Sequence, residues 1–169
     1  MIRPRRSEDL EPCLRLLHAV HLRDRYPFRW PEDPPRWLTG RFSLGAWVSE
    51  CDGKIDGHLS LHRTGETRVR PEWREAVPVP ADRIAVVSRF FVAPDARGRG
   101  VGSALMGAAE GHAAARDLGL VLDVADHNHD AIAFYERRGW KRVGTASLLL
   151  DDGHSVLPVL LFVLPDSLE

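Results

Sequence analysis

Apolar residues recur at helical spacing near the start of the chain: Leu10, Leu14 and Leu17, continued by Val20 and His21, with Ser7 ahead of them as a candidate N-cap. This pattern predicts a first helix that stops before Pro27. Residues 26–35 combine four prolines with Tyr26, Phe28 and Trp30, a mixture unsuited to a helix and richer in aromatics than a plain solvated loop needs. Residues 44–49 and 55–62 read as two strands, with Asp52-Gly53 supplying hairpin chemistry between them. Residues 63–82 are charged and carry Pro71, Pro78 and Pro80, so they read as an irregular insertion holding Trp73. Residues 84–92 are β-like and are followed by Pro94. A helix over about 100–118 would present Val101, Ala104, Leu105, Ala108, His112 and Ala115 as one stripe, ending at Gly119. A short buried strand over 120–124, a helix over 129–138 before Gly139, and a hairpin of 143–150 with 155–164 around Asp151-Asp-Gly153 complete the pattern. Pro158 marks a bulge or an edge in the last strand. Hairpins early and late, with strand-helix-strand between them, predict an α/β (α+β) fold with a mixed sheet flanked by helices.

Length and charge narrow the function. The 169 residues contain no repeat, low-complexity tract or Gly/Ser linker, so 1–169 reads as a single domain. Lys+Arg 23 against Asp+Glu 24 gives a net charge of -1, which disfavours a dedicated nucleic-acid binder or a protein held to an anionic membrane. The basic start, Met1 to Arg6, leads into no apolar segment, and no apolar run approaches the ~18 residues a spanning helix needs. Cys13 and Cys51 lack CxxC spacing and cannot build a disulfide framework. A cytoplasmic protein acting without nucleic acid or membrane is the expectation.

Candidate chemistry centres on Arg97-Gly-Arg-Gly-Val-Gly102, which lies between a strand and a helix. Glycines at alternate positions remove the Cβ atoms that would keep a ligand off the backbone, leaving amides and the positive helix end exposed to an anion such as a pyrophosphate. Arg97 and Arg99 could add charge-assisted contacts; a tight turn with no ligand is the competing reading. The segment lacks the lysine of a P-loop and the GxGxxG spacing of a dinucleotide fold. Further on, Asn128, Ala131, Tyr135 and Arg138 fall on one helical face. Asn128 also suits an N-cap, and Tyr135 suits a core aromatic.

Taken together, these residues resemble the GNAT superfamily of N-acetyltransferases. Its coenzyme A signature, Arg or Gln followed by x-x-Gly-x-Gly or Ala, matches Arg97 to Gly102 directly after Phe90-Phe-Val-Ala-Pro94. Its later signature matches Asn128, Ala131, Tyr135 and Gly139-Trp140 at the right distance. The resemblance implies a partly splayed sheet of about seven strands with about four helices. It also implies acetyl-CoA (coenzyme A) as co-substrate, with an amine as acceptor. Amides near Phe90, Phe91 and Val92 would meet the pantetheine arm where the strand parts from its neighbour. Those of Arg97, Gly98, Arg99, Gly100, Val101, Gly102 and Ser103 would hold the pyrophosphate. Asn128, Tyr135 and Arg138 would approach from the other side, with Tyr135 as the catalytic acid that protonates the departing thiolate. A backbone amide would polarise the carbonyl.

The glutamate that histone-type relatives use as base is replaced here by Val86. Deprotonating an amine of pKa about 10 at pH 7 costs about 4 kcal/mol, within reach of ordered water and the field of a cleft. Ser88, Arg89, Asp123, His58 and His62 could line or hydrate the acceptor side, and strand alternation would divide Val87, Arg89 and Phe91 from Val86, Ser88 and Phe90. Tyr26, Phe28, Trp30 and Trp73 are candidates for an acceptor wall or for lid packing. His127-Asn-His129 lacks a third ligand nearby, so no metal is expected. The leading expectation is an N-acetyltransferase working through a ternary complex, and family habit makes a homodimer an open expectation. An acyl-CoA-binding module without turnover is the alternative, and a loop serving an unrelated nucleotide a third reading.

Overall fold

The turn at Asp52-Gly53 is a strong local determinant: φ is 50° at Asp52 and 72° at Gly53, the double positive φ that lets a two-residue turn follow strand twist. It joins β2 (Ser43–Cys51) to β3 (Lys54–Arg63). The other strands are β1 (Ile2–Pro4), β4 (Ile84–Val92), β5 (Gly119–Ala125), β6 (Lys141–Leu149) and β7 (Val156–Val163). The helices are α1 (Leu10–Asp24), α2 (Pro34–Thr39), α3 (Pro71–Ala76), α4 (Val101–Ala114) and α5 (His129–Arg137). This computed structural model describes residues 1–64, 69–150 and 152–165, so Asp151 of the last turn lies outside the described residues. The seven strands form one mixed sheet in the order β1-β2-β3-β4-β5-β7-β6, in which β4 and β5 are the parallel pair. This is the expected α/β class, with five helices among the described residues instead of about four. Contacts group the chain into two compact units, Met1–His62 with Val87–His112, and Arg63–Val86 with Ala113–Glu169.

In the first unit, α1 buries Cys13, Leu16, Leu17 and Val20 in a core with Leu38 of α2, Val48 of β2 and Phe91 of β4. Burial pushes the Cys13 thiol up to about 12, so it is inert packing. Ser7 is not the N-cap expected. Ser7–Asp9 forms a 3-10 turn, and the Asp9 carboxylate takes the Arg6 N–H at 2.6 Å. Arg3 forks onto Asp9 at 2.7 and 2.8 Å and places Nε on Glu50 at 2.7 Å, which ties β1 to the base of α1. The proline-rich stretch 26–35, whose composition is unsuited to a helix, holds the start of α2, begun by Asp33, which caps the Arg36 N–H, and by Pro34 at N1. Gly57 gives α4 its approach to β3: a Cβ there would meet Leu105 at 2.8 Å and Val101 at 3.0 Å.

The predicted stripe of α4 is misphased. Leu105, Met106, Ala109 and Ala113 are buried, whereas Ala104 and Ala115 are exposed. With alanine and glycine around most of the helix, two stripes were nearly equivalent in apolar character. The helix also ends before 118, through a left-handed Asp117 at φ 52° and a Leu118 N–H to Ala113 carbonyl bond of 3.0 Å.

In the second unit, β7 pairs antiparallel with β5 and β6, and Trp73, Val77, Ile84, Val121, Val159, Leu161 and Val163 form its core. The insertion read as irregular therefore contains a helix, α3, started by Pro71 at N1, and buries Trp73 to 3% exposure. Pro158 lies one residue beyond the last β5 partner, Val159, so its missing N–H breaks no ladder on that side. The bulge falls elsewhere, between Arg142 and Gly144 of β6. Among the described residues no helix is long and apolar enough to cross a membrane.

Candidate functional site

Within the first unit, β4 carries at Arg89 a non-glycine residue at φ 47°. That left-handed residue breaks the strict alternation expected along the strand. Side chains of β3 hold the two carbonyls beside it. His58 Nδ1 lies 2.7 Å from the Arg89 carbonyl, and Ser60 Oγ donates to the Ser88 carbonyl at 3.1 Å. Behind them, Arg5 Nη1 lies 3.0 Å from His58 Nε2, and His62 Nε2 lies 2.8 Å from Ser60 Oγ. The His62 Nδ1 faces the Arg41 carbonyl at 3.2 Å. Burial pushes His58 down to about 3, against a raising contribution from the Arg89 carbonyl. Burial and the nearby Arg89 charge bring His62 down to about 4. Both imidazoles are neutral near pH 7.

Aromatic groups close over this cluster. Phe91 stacks on His58 at 5.1 Å, Tyr26 meets Phe91 and Trp37 at 6.3 and 6.2 Å, and the Arg89 guanidinium sits 4.9 Å from the Trp37 ring centroid. Arg89 Nε also donates to the Trp37 carbonyl at 3.1 Å. Of the residues named as acceptor wall, Tyr26 joins this cluster. Trp30 instead packs on His18 and His21, Phe28 lies 5.4 Å from the Arg25 guanidinium, and Trp73 belongs to the core of the second unit. Sequence reasoning missed Arg5, Trp37 and Ser60. The polar residues His58, Ser60 and His62, alternating with buried Leu59 and Leu61, were the available signal for Ser60.

The segment from β4 to α4 passes through a 3-10 turn, Pro94–Ala96, and then Gly98 and Gly100 at φ 75° and 81°. A Cβ on either glycine would meet nothing within 4 Å, so the concave backbone there is open. Arg97, Arg99 and Ser103 are exposed, and Val101 and Gly102 half-buried, at the start of the 14-residue α4. A bare left-handed glycine backbone leading into a helix N-terminus fits a diphosphate. The Arg97 side chain is committed elsewhere. Its Nε and Nη2 each donate to the Val92 carbonyl at 3.2 Å, and Nη2 also pairs with Asp24 at the end of α1.

In the second unit, Asn128 caps α5 by accepting the Ala131 N–H at 3.3 Å. Tyr135 is 7% exposed among Phe134, Trp140 and Phe162, with ring centroids 5.6 to 6.0 Å away. Arg138 ends the helix with its guanidinium 5.9 Å from the Phe134 ring. Val86, in the slot of the expected glutamate, is half-buried opposite Val121, and Asp123 pairs with Leu161. His127 lies 3.9 Å from Asp126, and no group of three or more His, Cys, Asp or Glu side chains among the described residues could hold a metal ion.

A family model for the acetyltransferase (GNAT) family matches residues 14–140, and the chain belongs to this family. It is 32% identical over 140 residues to an uncharacterized N-acetyltransferase of Methanocaldococcus jannaschii, an alignment covering 80% of this chain and 58% of that protein. It is 33% identical over 76 residues to a peptidyl-lysine N-acetyltransferase of Salmonella typhimurium, covering 45% of this chain and 48% of the relative. The chain thus spans about half the length of the curated relatives it matches. Its fold is similar to that of Arabidopsis thaliana NAA60 in complex with acetyl-CoA, with a TM-score of 0.72 at 21% identity over 96% of this chain and 97% of the other.

Proposed function

We propose that this chain is an acetyl-CoA-dependent N-acetyltransferase that moves the acetyl group directly to an amine in a ternary complex. The observation that carries this reading is the open glycine cradle, with Gly98 and Gly100 both left-handed and unobstructed, within a chain of the GNAT family. Backbone N–H groups of residues 97–103 take the diphosphate; Ala93 donates to Asp56 of β3 at 2.8 Å, so alternation turns the Phe91 N–H to β3 and leaves those of Phe90 and Val92 for the thioester end and the pantetheine arm. Because the Arg97 guanidinium is engaged with Val92 and Asp24, it shapes the loop, and Arg99, exposed like Arg97, is the second cation beside the diphosphate. Acetyl-CoA supplies the activated acyl group. The acceptor nitrogen bonds to the acyl carbon as the carbon–sulfur bond breaks, the amine proton leaves through water, and Tyr135 gives its proton to the thiolate. No covalent enzyme intermediate is needed.

Tyr26 and Trp37, half-buried over the core residue Phe91, favour a small, partly apolar amine, with a peptide or protein amine as the second acceptor class. The free thiols Cys13 and Cys51 accord with a cytoplasmic setting. Thiol release from acetyl-CoA across a panel of small amines and lysine peptides tests the reading. One amine class raises the release, and Tyr135→Phe lowers kcat at least tenfold with acetyl-CoA binding retained, the scale on which a positioned acid contributes. Tight acetyl-CoA binding with no thiol release across the panel would instead identify a binding module.

A further inference from the structure

We infer that His58 and Ser60 are positioning residues for acyl transfer: from β3 they grip the Arg89 and Ser88 carbonyls and so aim the N–H groups of Phe90 and Arg89 at the thioester oxygen. This rests on the transferase reading above. An extended strand sends successive carbonyls to opposite edges, yet both of these are held by β3 side chains, which the left-handed Arg89 at φ 47° permits. The peptide units that join Ser88 to Arg89 and Arg89 to Phe90 are trans and planar, so each N–H points opposite its own carbonyl. Two consecutive N–H groups therefore turn away from the β3 side chains together. That is the geometry of an anion-stabilising backbone concavity.

The two grips have the same construction. Guanidinium is donor-only, so Arg5 at 3.0 Å makes His58 Nε2 an acceptor, and the ring proton resides on Nδ1, where it is donated to the Arg89 carbonyl at 2.7 Å. His62 completes the other. Ser60 Oγ donates its single proton to the Ser88 carbonyl at 3.1 Å, with His62 Nε2 2.8 Å behind it and the other ring nitrogen of His62 against the Arg41 carbonyl at 3.2 Å. Stacking of Phe91 on the His58 ring, 18° from parallel, fixes the plane from which Nδ1 donates. A hydrogen bond on a peptide carbonyl also polarises the N–H of the same peptide, so each grip both aims its donor and strengthens it.

The test compares wild type with His58→Leu and Ser60→Ala, which remove the donors, and with His58→Asn and Ser60→Thr, which restore a donor near the same place. The readouts are kcat, KM for acetyl-CoA, melting temperature, and the carbonyl stretch of bound acetyl-CoA labelled with carbon-13 at the thioester carbonyl. Expected are kcat losses of about 10- to 100-fold in His58→Leu and about tenfold in Ser60→Ala, with KM within about threefold, below the ~10²–10³ seen when an oxyanion donor is itself removed. The carbonyl band moves up towards its free position in the donor-removed pair, and His58→Asn and Ser60→Thr recover both band and rate. A merely structural role would lower the melting temperature and leave the band of the bound thioester in place. If His58→Leu fails to fold, Ser60→Ala decides alone. An unshifted band with kcat within threefold in folded Ser60→Ala overturns the inference. If wild type binds acetyl-CoA but acetylates no amine, the transferase reading fails, and the band still judges the positioning. If wild type does not bind acetyl-CoA, both fall.

Discussion

At the scale of single residues, Gly98 and Gly100 were legible because glycine announces a need for left-handed backbone or close approach, and both hold φ between 75° and 81° with open space where a Cβ would stand. Gly100→Ala is therefore expected to act in two separable ways. Left-handed backbone costs an alanine about 1–2 kcal/mol, to be read from urea unfolding. The methyl also enters the diphosphate cradle, which raises KM for acetyl-CoA about tenfold with kcat nearly unchanged, the pattern of lost ground-state binding. A KM within twofold of wild type would remove the cradle from the site. Arg89 carries the same backbone signature and was not legible, because arginine does not advertise positive φ; the conformation is fixed by the bonds from β3 to the carbonyls at 88 and 89.

At the scale of elements, the hairpin at Asp52-Gly53, the Asn128 cap and the positions of the longer strands were readable because each is encoded within a few neighbouring residues. The three-residue β1 was not, since its strand character comes from pairing with β2 across the register Ile2↔Ser49 to Pro4↔Trp47. Helices α2 and α3 were hidden by prolines that the structure uses at helix starts. In α4 the periodicity was correct and its phase was not, because alanines and glycines gave little contrast between faces. That same composition yields a prediction. Gly107 and Gly111 are exposed, have no positive φ, and would carry a Cβ into open space. Gly107→Ala and Gly111→Ala should each raise stability by up to about 1 kcal/mol, seen as a higher urea midpoint, while kinetic constants stay unchanged. A loss of stability in either would mean that the exposed face of α4 is covered by something else.

For the molecule as a whole, balanced charge and the order of elements were legible, but the acid sensitivity was not, since it depends on where folding buries two of the eight histidines. In the unfolded chain His58 takes up a proton near 6.5, whereas in the folded protein burial holds it down to about 3, and His62 to about 4. Between those values the unfolded state binds more protons, so stability is fully present above about 6.5 and is lost as pH falls. His58 alone contributes a slope approaching 1.4 kcal/mol per pH unit, with His62 acting in the same direction, against a total stability of about 5–15 kcal/mol for a domain. Asp9, held at about 2 by Arg3 against an ordinary 3.8, adds its loss from the acid end of that window downward, well below pH 5. The urea midpoint should therefore drop steadily from pH 7 to pH 5, well before carboxylates titrate. His58→Asn has a lower plateau, from lost stacking on Phe91, but a flatter descent, because one buried imidazole no longer resists protonation. Equal slopes in the two proteins between pH 7 and pH 5 would show that His58 is solvated in the folded state, and the donor chain from Arg5 to the Arg89 carbonyl would then have no dry interior to act in.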